Sequence, residues 1–486
     1  MHITFIYPDY MKGSEGKYYE GIASLSSVLK EENHKVKLMH LVSYKAPKEA
    51  VEEFLERYKE TDIICFSFTS NTFDFIVEFV NFLRKRKKIF SICGGIHTIL
   101  CPDKTIEIDG IDAICIGEGE YALVNLCNKM QKDKDIFDTE NIWFKKNRII
   151  IKNKPLPLIE NLDNLPFPDR EIFNYKILKD SLFKRLVFMA SRGCPFSCSY
   201  CCNKSLRDRF KGRYVRFKSV DRVIKEIKIA LEKYPDTKEI NFHDDILTLN
   251  KDWFFEFSFK YKKEINLPYI CNSRFDLIDE DIVLRLKESN CFAIKFGLES
   301  GNDFIRNKIL KRNQSKDLIL KAVNLCKKYS LDIYTFNMVG IPFENLKYCL
   351  DTVKLNSKIA PTSIQVSVFY PYKNTELYDV CKENNFLTDR KLDSYGEDDT
   401  ILNLKGFSRK DIIFSKKNFI DFVFYYRFSS LFPKFIRFFI EGFLDFLWLH
   451  PKAFFYFIPV RFVLRNYIDF LMRIKNFLKR KSYEIK

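Results

Sequence analysis

The sequence contains no low-complexity tract, which excludes a fibrous or compositionally disordered chain. Nothing precedes the strand-like run Ile3-Thr4-Phe5-Ile6-Tyr7 except Met1 and His2, so a secretory signal is not expected and a cytoplasmic, reducing location is. The C-terminal region lacks any uninterrupted apolar run of about 18–20 residues, because Glu441, Asp445, Lys452 and Arg461 intervene. That excludes one clean bilayer span there. Disulfide-scaffold spacing is missing too: the fourteen cysteines are scattered along 486 residues, and in a reducing compartment clustered thiols more often hold metal than pair.

What is present begins with charge. The net charge is +17, but from Lys405 onward 17 Lys and Arg face 6 Asp and Glu, so +11 of it belongs to the tail. A nucleic-acid partner would call for a basic face on the folded body, and none is expected. The length predicts two or three domains with their own cores.

Residues 1–135 alternate strand and helix. Strands are expected at His2–Tyr7, Val36–Met39, Asp62–Phe68, Phe90–Cys93 and Ala113–Ile116, with helices across Tyr19–Glu32, Lys48–Tyr58 and Phe73–Leu83. This describes an α/β unit, a doubly wound parallel sheet of the Rossmann type. Gly94-Gly95-Ile96-His97-Thr98 and Gly117-Glu118-Gly119-Glu120 follow the fourth and fifth strands. Open α/β sheets bind ligands beyond strand carboxyl ends, and glycine admits close approach; spacing alone leaves tight turns equally open. Residues 136–184 are expected to connect domains, with a hairpin near Ile142–Ile151 and the proline-rich Leu165-Pro166-Phe167-Pro168-Asp169.

Longer units follow over 185–395, with strands expected at Leu186–Ala190, Glu239–His243, Tyr269–Asn272, Ala293–Leu298, Asp332–Val339 and Ser363–Phe369. Six βα units are too few for a closed eight-fold barrel; a partial (β/α)6 barrel fits.

The first of these strands leads into Ser191-Arg192-Gly193-Cys194-Pro195-Phe196-Ser197-Cys198-Ser199-Tyr200-Cys201-Cys202. Three thiols spaced C-x3-C-x2-C can hold three irons of a cubane and leave one iron open. Cys202 is read as packing, since adjacent side chains seldom both point inward. A structural zinc site is the alternative, although such sites more often show paired short spacings.

This stretch resembles the signature of radical S-adenosylmethionine (SAM) enzymes, including the aromatic Tyr200 before the last cysteine. The resemblance implies a 4Fe–4S cluster on Cys194, Cys198 and Cys201, with SAM chelated at the open iron and cleaved reductively to a 5′-deoxyadenosyl radical. It implies SAM contacts from Tyr200, from Asp244 and Asp245 in His243-Asp244-Asp245, from Ser273 and Arg274, and from Glu299 in Gly297-Leu298-Glu299-Ser300-Gly301. Gly340-Ile341-Pro342 falls near the family's adenine pocket, but Phe343 stands where relatives often carry glycine.

The first domain is similar to the cobalamin-binding domain preceding the barrel in one branch of that family. Gly94, Gly95, His97, Gly117, Glu118 and Gly119 carry the likeness, supported by Leu165–Arg170 and Pro371–Leu377, so that the match covers roughly 1–380. The D-x-H-x-x-G motif is absent, so cobalamin is expected without a histidine ligand on cobalt. The resemblance implies methylation, cyclisation or rearrangement at an unactivated carbon, with a low-potential ferredoxin or flavodoxin as electron donor. A cobalamin-independent oxidoreductase and a non-catalytic electron-transfer protein are the competing readings.

Residues 396–486 are expected to be helical. Phe432, Phe435, Phe438, Phe439, Phe443, Phe446 and Trp448 recur at helical spacing among Lys434, Arg437, Arg461, Arg465, Arg473 and Lys475. Such a stripe suits either a cap on the barrel or a helix at an anionic membrane, in which case the small-molecule substrate is lipid-like.

Overall fold

The computed structural model describes residues 1–10, 16–390, 392 and 398–456. The first unit comprises β1 (His2–Pro8), α1 (Glu20–Glu31), β2 (Lys35–Leu41), α2 (Pro47–Arg57), β3 (Ile63–Ser67), α3 (Phe73–Arg86) and β4 (Phe90–Gly94). It continues through α4 (Ile96–Leu100), α5 (Pro102–Ile106), β5 (Ala113–Cys115), α6 (Glu120–Gln131), β6 (Ile142–Lys146) and β7 (Ile149–Lys152). The sheet order is β2-β1-β3-β4-β5-β6-β7. Central β3 is buried along its whole length, which is why Ile63-Ile64-Cys65-Phe66-Ser67 shows no alternation.

Two local expectations are revised. The hairpin placed in the connector pairs antiparallel with β5 and widens the first sheet to seven strands. The Gly94–Thr98 stretch is not a loop throughout: Gly95, at φ +85°, turns the chain and helix α4 starts at Ile96.

The second unit opens with β8 (Arg185–Phe188), β9 (Ser191–Arg192), α7 (Cys202–Arg207), β10 (Arg216–Phe217), α8 (Val220–Lys233) and β11 (Glu239–Phe242). It proceeds through α9 (Lys251–Glu264), β12 (Tyr269–Ser273), α10 (Glu280–Glu288), β13 (Cys291–Glu299), α11 (Lys316–Lys328), β14 (Asp332–Val339), α12 (Leu346–Ile359), β15 (Ser363–Val368) and α13 (Glu376–Glu383). Six parallel strands run in the order β15-β14-β13-β12-β11-β8, an open half-barrel. Its helices start where the sequence supplies caps. Ser219, Asn250, Asp279, Ser315 and Asn345 each accept a hydrogen bond from a first-turn N–H, each worth about 0.5–2 kcal/mol. The caps fix the helix starts, and therefore the lengths of the preceding loops that carry the site.

Three helices close the described chain: α14 (Arg409–Ser429), α15 (Lys434–Leu449) and α16 (Pro451–Tyr456). The α14 aromatics Phe414, Phe419, Phe422 and Tyr426 are buried and form one core with Val339, Ile341 and Trp448, so this helix caps the barrel. Phe432, Phe435, Phe438, Phe439, Phe443 and Phe446 are exposed instead. Arg461, Arg465, Arg473 and Lys475 lie outside the described residues.

Candidate active site

The cysteine loop follows β9 and is pinned on all sides. Gly193, at φ +88°, lies so close to Tyr214 that an added Cβ would stand 2.5 Å from the Tyr214 carbonyl. Arg207 donates to the Pro195 carbonyl and, at 2.7 Å, to Ser197 Oγ. Ser199 N–H reaches the Leu310 carbonyl at 3.2 Å, and Leu377 N–H reaches that of Ser199 at 2.9 Å. The three thiols are thereby held by the fold before any ligand arrives.

Cys198 is buried between two guanidinium groups. Arg274 Nη1 stands 3.7 Å from its sulfur and Arg312 Nη1 4.0 Å away. Arg274 is locked over the Phe196 ring at 3.6 Å and paired with Asp276 at 3.0 Å. The two cations offset negative charge on whatever the sulfur binds. Cys201 caps α7. A hydrogen bond from the Cys202 thiol draws it down to about 7, helped, against burial, by bonds from Asn203. Cys202 itself is pushed up by that same contact and by burial. Burial raises Cys194 to about 11. No three His, Cys, Asp or Glu side chains among the described residues stand at single-ion spacing. Thiolates on different irons of a cubane form a wider triangle than the edges of about 3.8 Å in a tetrahedral zinc site. Three thiols on one loop with flanking cations fit a cluster in which each sulfur takes a different iron.

The strand-end residues divide into those already engaged and those still accessible. Asp244 is fully buried and accepts from Ala190 N–H at 3.0 Å and from the Ser191 hydroxyl, so it braces the loop; burial raises it to about 6 despite these donors. Its neighbour Asp245 is exposed and takes a hydrogen bond from Asn203 Nδ2 at 3.2 Å. Ser273 is buried and bonded to Thr248 Oγ1 at 2.7 Å. Glu299 occupies a β-bulge with φ +62°, accepts from Tyr200 OH at 3.2 Å and lies 3.9 Å from Arg312. Burial raises its carboxyl although Arg312 opposes this. Left-handed backbone at a non-glycine residue is costly and concentrates at functional sites. Arg312 had no sequence signal, since it sits in an irregular loop and only folding brings it to Cys198 and to Tyr200 OH, 2.7 Å away.

The first sheet presents its loops to the same place. Glu118 accepts from Arg192 Nη1 and from Arg216 Nη1, both at 2.8 Å, and from Ile159 N–H at 2.7 Å. Arg192 also donates to Glu120 at 2.6 Å. Glu118 thus joins the sheets through its side chain. Gly117 must remain small, because a Cβ would stand 2.8 Å from Asn141, whereas the space over Gly94 is open. His97 is buried between Phe68 and Phe73 and shares a 2.8 Å hydrogen bond with Ser70 Oγ. Burial lowers it to about 4. Its Nε2 and both polar atoms of Asn71 are buried without partners among the described residues.

Ser70, Asn71, Phe73 and His97 line a cavity of about 880 Å³ together with Tyr370, Tyr372 and Lys373, whereas Gly94, Gly117 and Glu118 lie outside its lining. The size lies toward the upper end of ligand pockets, about 300–1,000 Å³. Unsatisfied buried amides and imidazoles are expensive unless a ligand pairs with them, so the wall fits a large polar cofactor such as a corrinoid.

The chain matches the radical SAM superfamily model over residues 189–355 and the B12 binding domain model over 20–127. An uncharacterized methyltransferase of Pyrococcus horikoshii is 29% identical over 394 residues, covering 81% of this chain and 84% of the relative. The solved cobalamin-dependent SAM radical enzyme OxsB has a TM-score of 0.67 at 16% identity, covering 92% of this chain and 72% of its own. The radical SAM methyltransferase TsrM from Kitasatospora setae has a TM-score of 0.63 at 13% identity, with 79% and 75% covered. Sequence motif, fold and these matches agree: the chain belongs to the radical SAM superfamily, in the branch whose half-barrel follows a B12-binding domain.

Proposed function

We propose that this protein is a radical SAM enzyme that uses a 4Fe–4S cluster on Cys194, Cys198 and Cys201, together with cobalamin, to methylate or rearrange a substrate at an unactivated carbon. When bound, the cluster and SAM supply a 5′-deoxyadenosyl radical by one-electron cleavage, and cobalamin supplies a transferable methyl group. The observation that carries the reading is the meeting of two ligand-binding ends. Arg192, two residues before Cys194, is gripped by Glu118 and Glu120 from the loop after β5.

The chain's own residues have separable tasks. Arg274 and Arg312 neutralise charge at Cys198. Asp245 offers an accessible carboxylate to the SAM ammonium, while Asp244 fixes the loop it stands on. Tyr200, Ser273, Arg274 and Glu299 line the SAM side. Gly94, with open space over it, lets the backbone approach the corrinoid, while Gly95, Gly117 and Gly119 shape the strand-end loops against Phe68, Asn141 and Leu25; His97, Ser70 and Asn71 face the corrinoid and Glu118 locks the domains. A small-molecule substrate enters between the two walls, and a low-potential ferredoxin or flavodoxin delivers the electron. Methyl transfer is favoured over rearrangement because the Pyrococcus relative, matched over most of both chains, bears a methyltransferase's name. None of the fourteen cysteines is paired in a disulfide, which suits a reducing cytoplasm.

The test is anaerobic reconstitution with iron, sulfide and hydroxocobalamin, followed by assay of bound metals and of 5′-deoxyadenosine. About four irons, retained cobalt and reductant-dependent 5′-deoxyadenosine are expected. Cluster and 5′-deoxyadenosine without retained cobalt would remove cobalamin-dependent methyl transfer. A well-formed cluster that leaves SAM intact would sink the radical enzyme altogether.

A further inference from the structure

Helix α15 is apolar on both sides. Its inner face buries Leu444, Leu447 and Trp448 against the α14 core, and Trp448 Nε1 donates to the Leu346 carbonyl at 2.9 Å. Its acidic residues are spent inward or laterally: Glu441 pairs with Arg437 at 2.8 Å, and Asp445 with Lys354 at 2.7 Å. What remains outward is Phe435, Phe438, Phe439, Gly442, Phe443 and Phe446, with no charge among them. Phe435 is 75% exposed, Phe438 74% and Phe439 59%. Leu431 and Phe432 carry the same surface around the preceding turn. Scattered exposed apolar residues are ordinary, but a contiguous aromatic face of this kind marks an interaction surface.

The flank of this face is cationic. Lys316, Lys327, Lys358 and Lys434 are exposed, and neither they nor Arg427 has an ion-pair partner among the described residues. Lys358 is crowded by Lys316, Arg437 and Lys354, and besides burial these neighbours hold its ammonium below the usual range. Glu441 and Asp445 offset Arg437 and Lys354, but Lys316, Lys327, Lys358, Lys434 and Arg427 have no carboxylate paired with them among the described residues, so the flank keeps a net positive charge. Residues 457–486 then add eight Lys and Arg against two Asp and Glu, alternating with apolar residues.

We infer that α15 lies in the surface of an anionic lipid bilayer, with Phe435, Phe438, Phe439, Phe443 and Phe446 inserted among the acyl chains and the flanking lysines at the headgroups. No described helix is long and apolar enough to cross a membrane, so the contact is in-plane. Charge selects this occupant. A second copy of the same face would bring the like-charged flanks together, whereas anionic headgroups supply the missing counter-charge. The 457–486 segment, itself carrying a net charge of +6, is no better complement to a cationic rim.

The experiment is sedimentation of the full chain, cluster intact, with vesicles of phosphatidylcholine alone or mixed with phosphatidylglycerol. At least tenfold greater partition to the anionic vesicles is expected, falling as salt is raised. Phe435→Ser/Phe438→Ser/Phe439→Ser should reduce binding at least tenfold while keeping its iron content, which reports the fold. A second variant, Lys358→Glu/Lys327→Glu, should remove the preference for anionic over neutral vesicles. Three results would overturn the inference: no binding of the full chain, binding untouched by the phenylalanine variant, or a salt-stable dimer that the phenylalanine variant dissociates.

Discussion

Glu118 and Arg192 meet at 2.8 Å across the boundary between the two sheets, two residues before Cys194. The pair ties the glycine loop after β5 to the strand that launches the cysteine loop. Arg216 completes the grip on the same carboxylate at 2.8 Å.

Glu118→Gln leaves the buried Arg216 and the half-buried Arg192 guanidinium groups without their shared anion. Breaking one partner of such a network is expected to lower the unfolding free energy on the order of 3 kcal/mol, read by chemical denaturation. Burial would raise the Glu118 carboxyl, but Arg216 and Arg192 more than offset it and hold it below 4.5. This stabilisation is therefore fully present above the unfolded value and is lost as pH falls through the depressed folded one. The variant should flatten that acid limb.

Each of Cys194→Ala, Cys198→Ala and Cys201→Ala is expected to lose the cluster's iron, its charge-transfer absorbance and all 5′-deoxyadenosine formation. Cys202→Ala should keep the cluster, because Cys202 stands outside the C-x3-C-x2-C triad. Iron loss from the Cys202 variant would identify it as a ligand.

Arg312→Gln removes one of the two cations at the Cys198 sulfur. The cluster's reduction potential is expected to fall on the order of 50 mV, nearly tenfold in a one-electron equilibrium, measured by EPR-monitored titration. A potential unchanged by the substitution would assign Arg312 to holding Tyr200 and Glu299 in place.

Glu344 sits fully within the core, accepting from Gly340 N–H at 2.8 Å and Ile341 N–H at 3.1 Å, with Oε1 unpartnered among the described residues. Burial raises it to about 8 from 4.5. A carboxyl raised in the folded state is least costly below its unfolded pKa, and stability is lost as pH climbs from there to the folded value. Glu344→Gln should thus become more stable than the parent between pH 5 and 8, at about 1.4 kcal/mol per unit at most. Thermal midpoints at the two pH values check it.

Asn71→Leu removes an unpaired amide from the cavity wall and is expected to reduce the cobalt retained per chain several-fold, with iron unchanged. His97→Phe should leave the EPR spectrum of bound cob(II)alamin without any change in nitrogen splitting, since its ring is wedged between Phe68 and Phe73. Loss of a nitrogen splitting in that variant would make His97 a cobalt ligand.

Much of this protein is written locally. The strand–helix alternation, the six barrel strands and the C-x3-C-x2-C loop are legible because period, cap residues and cysteine spacing are short-range properties. Asp332–Val339 is a strand at the residues where its alternation places it. Other features depend on contacts far apart in sequence. The hairpin Ile142–Lys152 reads as part of a connector until its pairing with β5 is known. Asp244 and Asp245 look equivalent in the chain, yet burial commits one to the backbone and leaves the other accessible.

The sequence alone determined the elements, the C-x3-C-x2-C thiol spacing and the glycine-rich strand ends, since each is set by neighbours within a few residues. Tertiary structure decided that Arg274 and Arg312 converge on Cys198, that Glu118 serves as a clamp, and that the phenylalanines of α15 face outward while those of α14 face in. Burial and long-range charge pairing are properties of the packed chain, and helical periodicity cannot say which apolar stripe the core will claim.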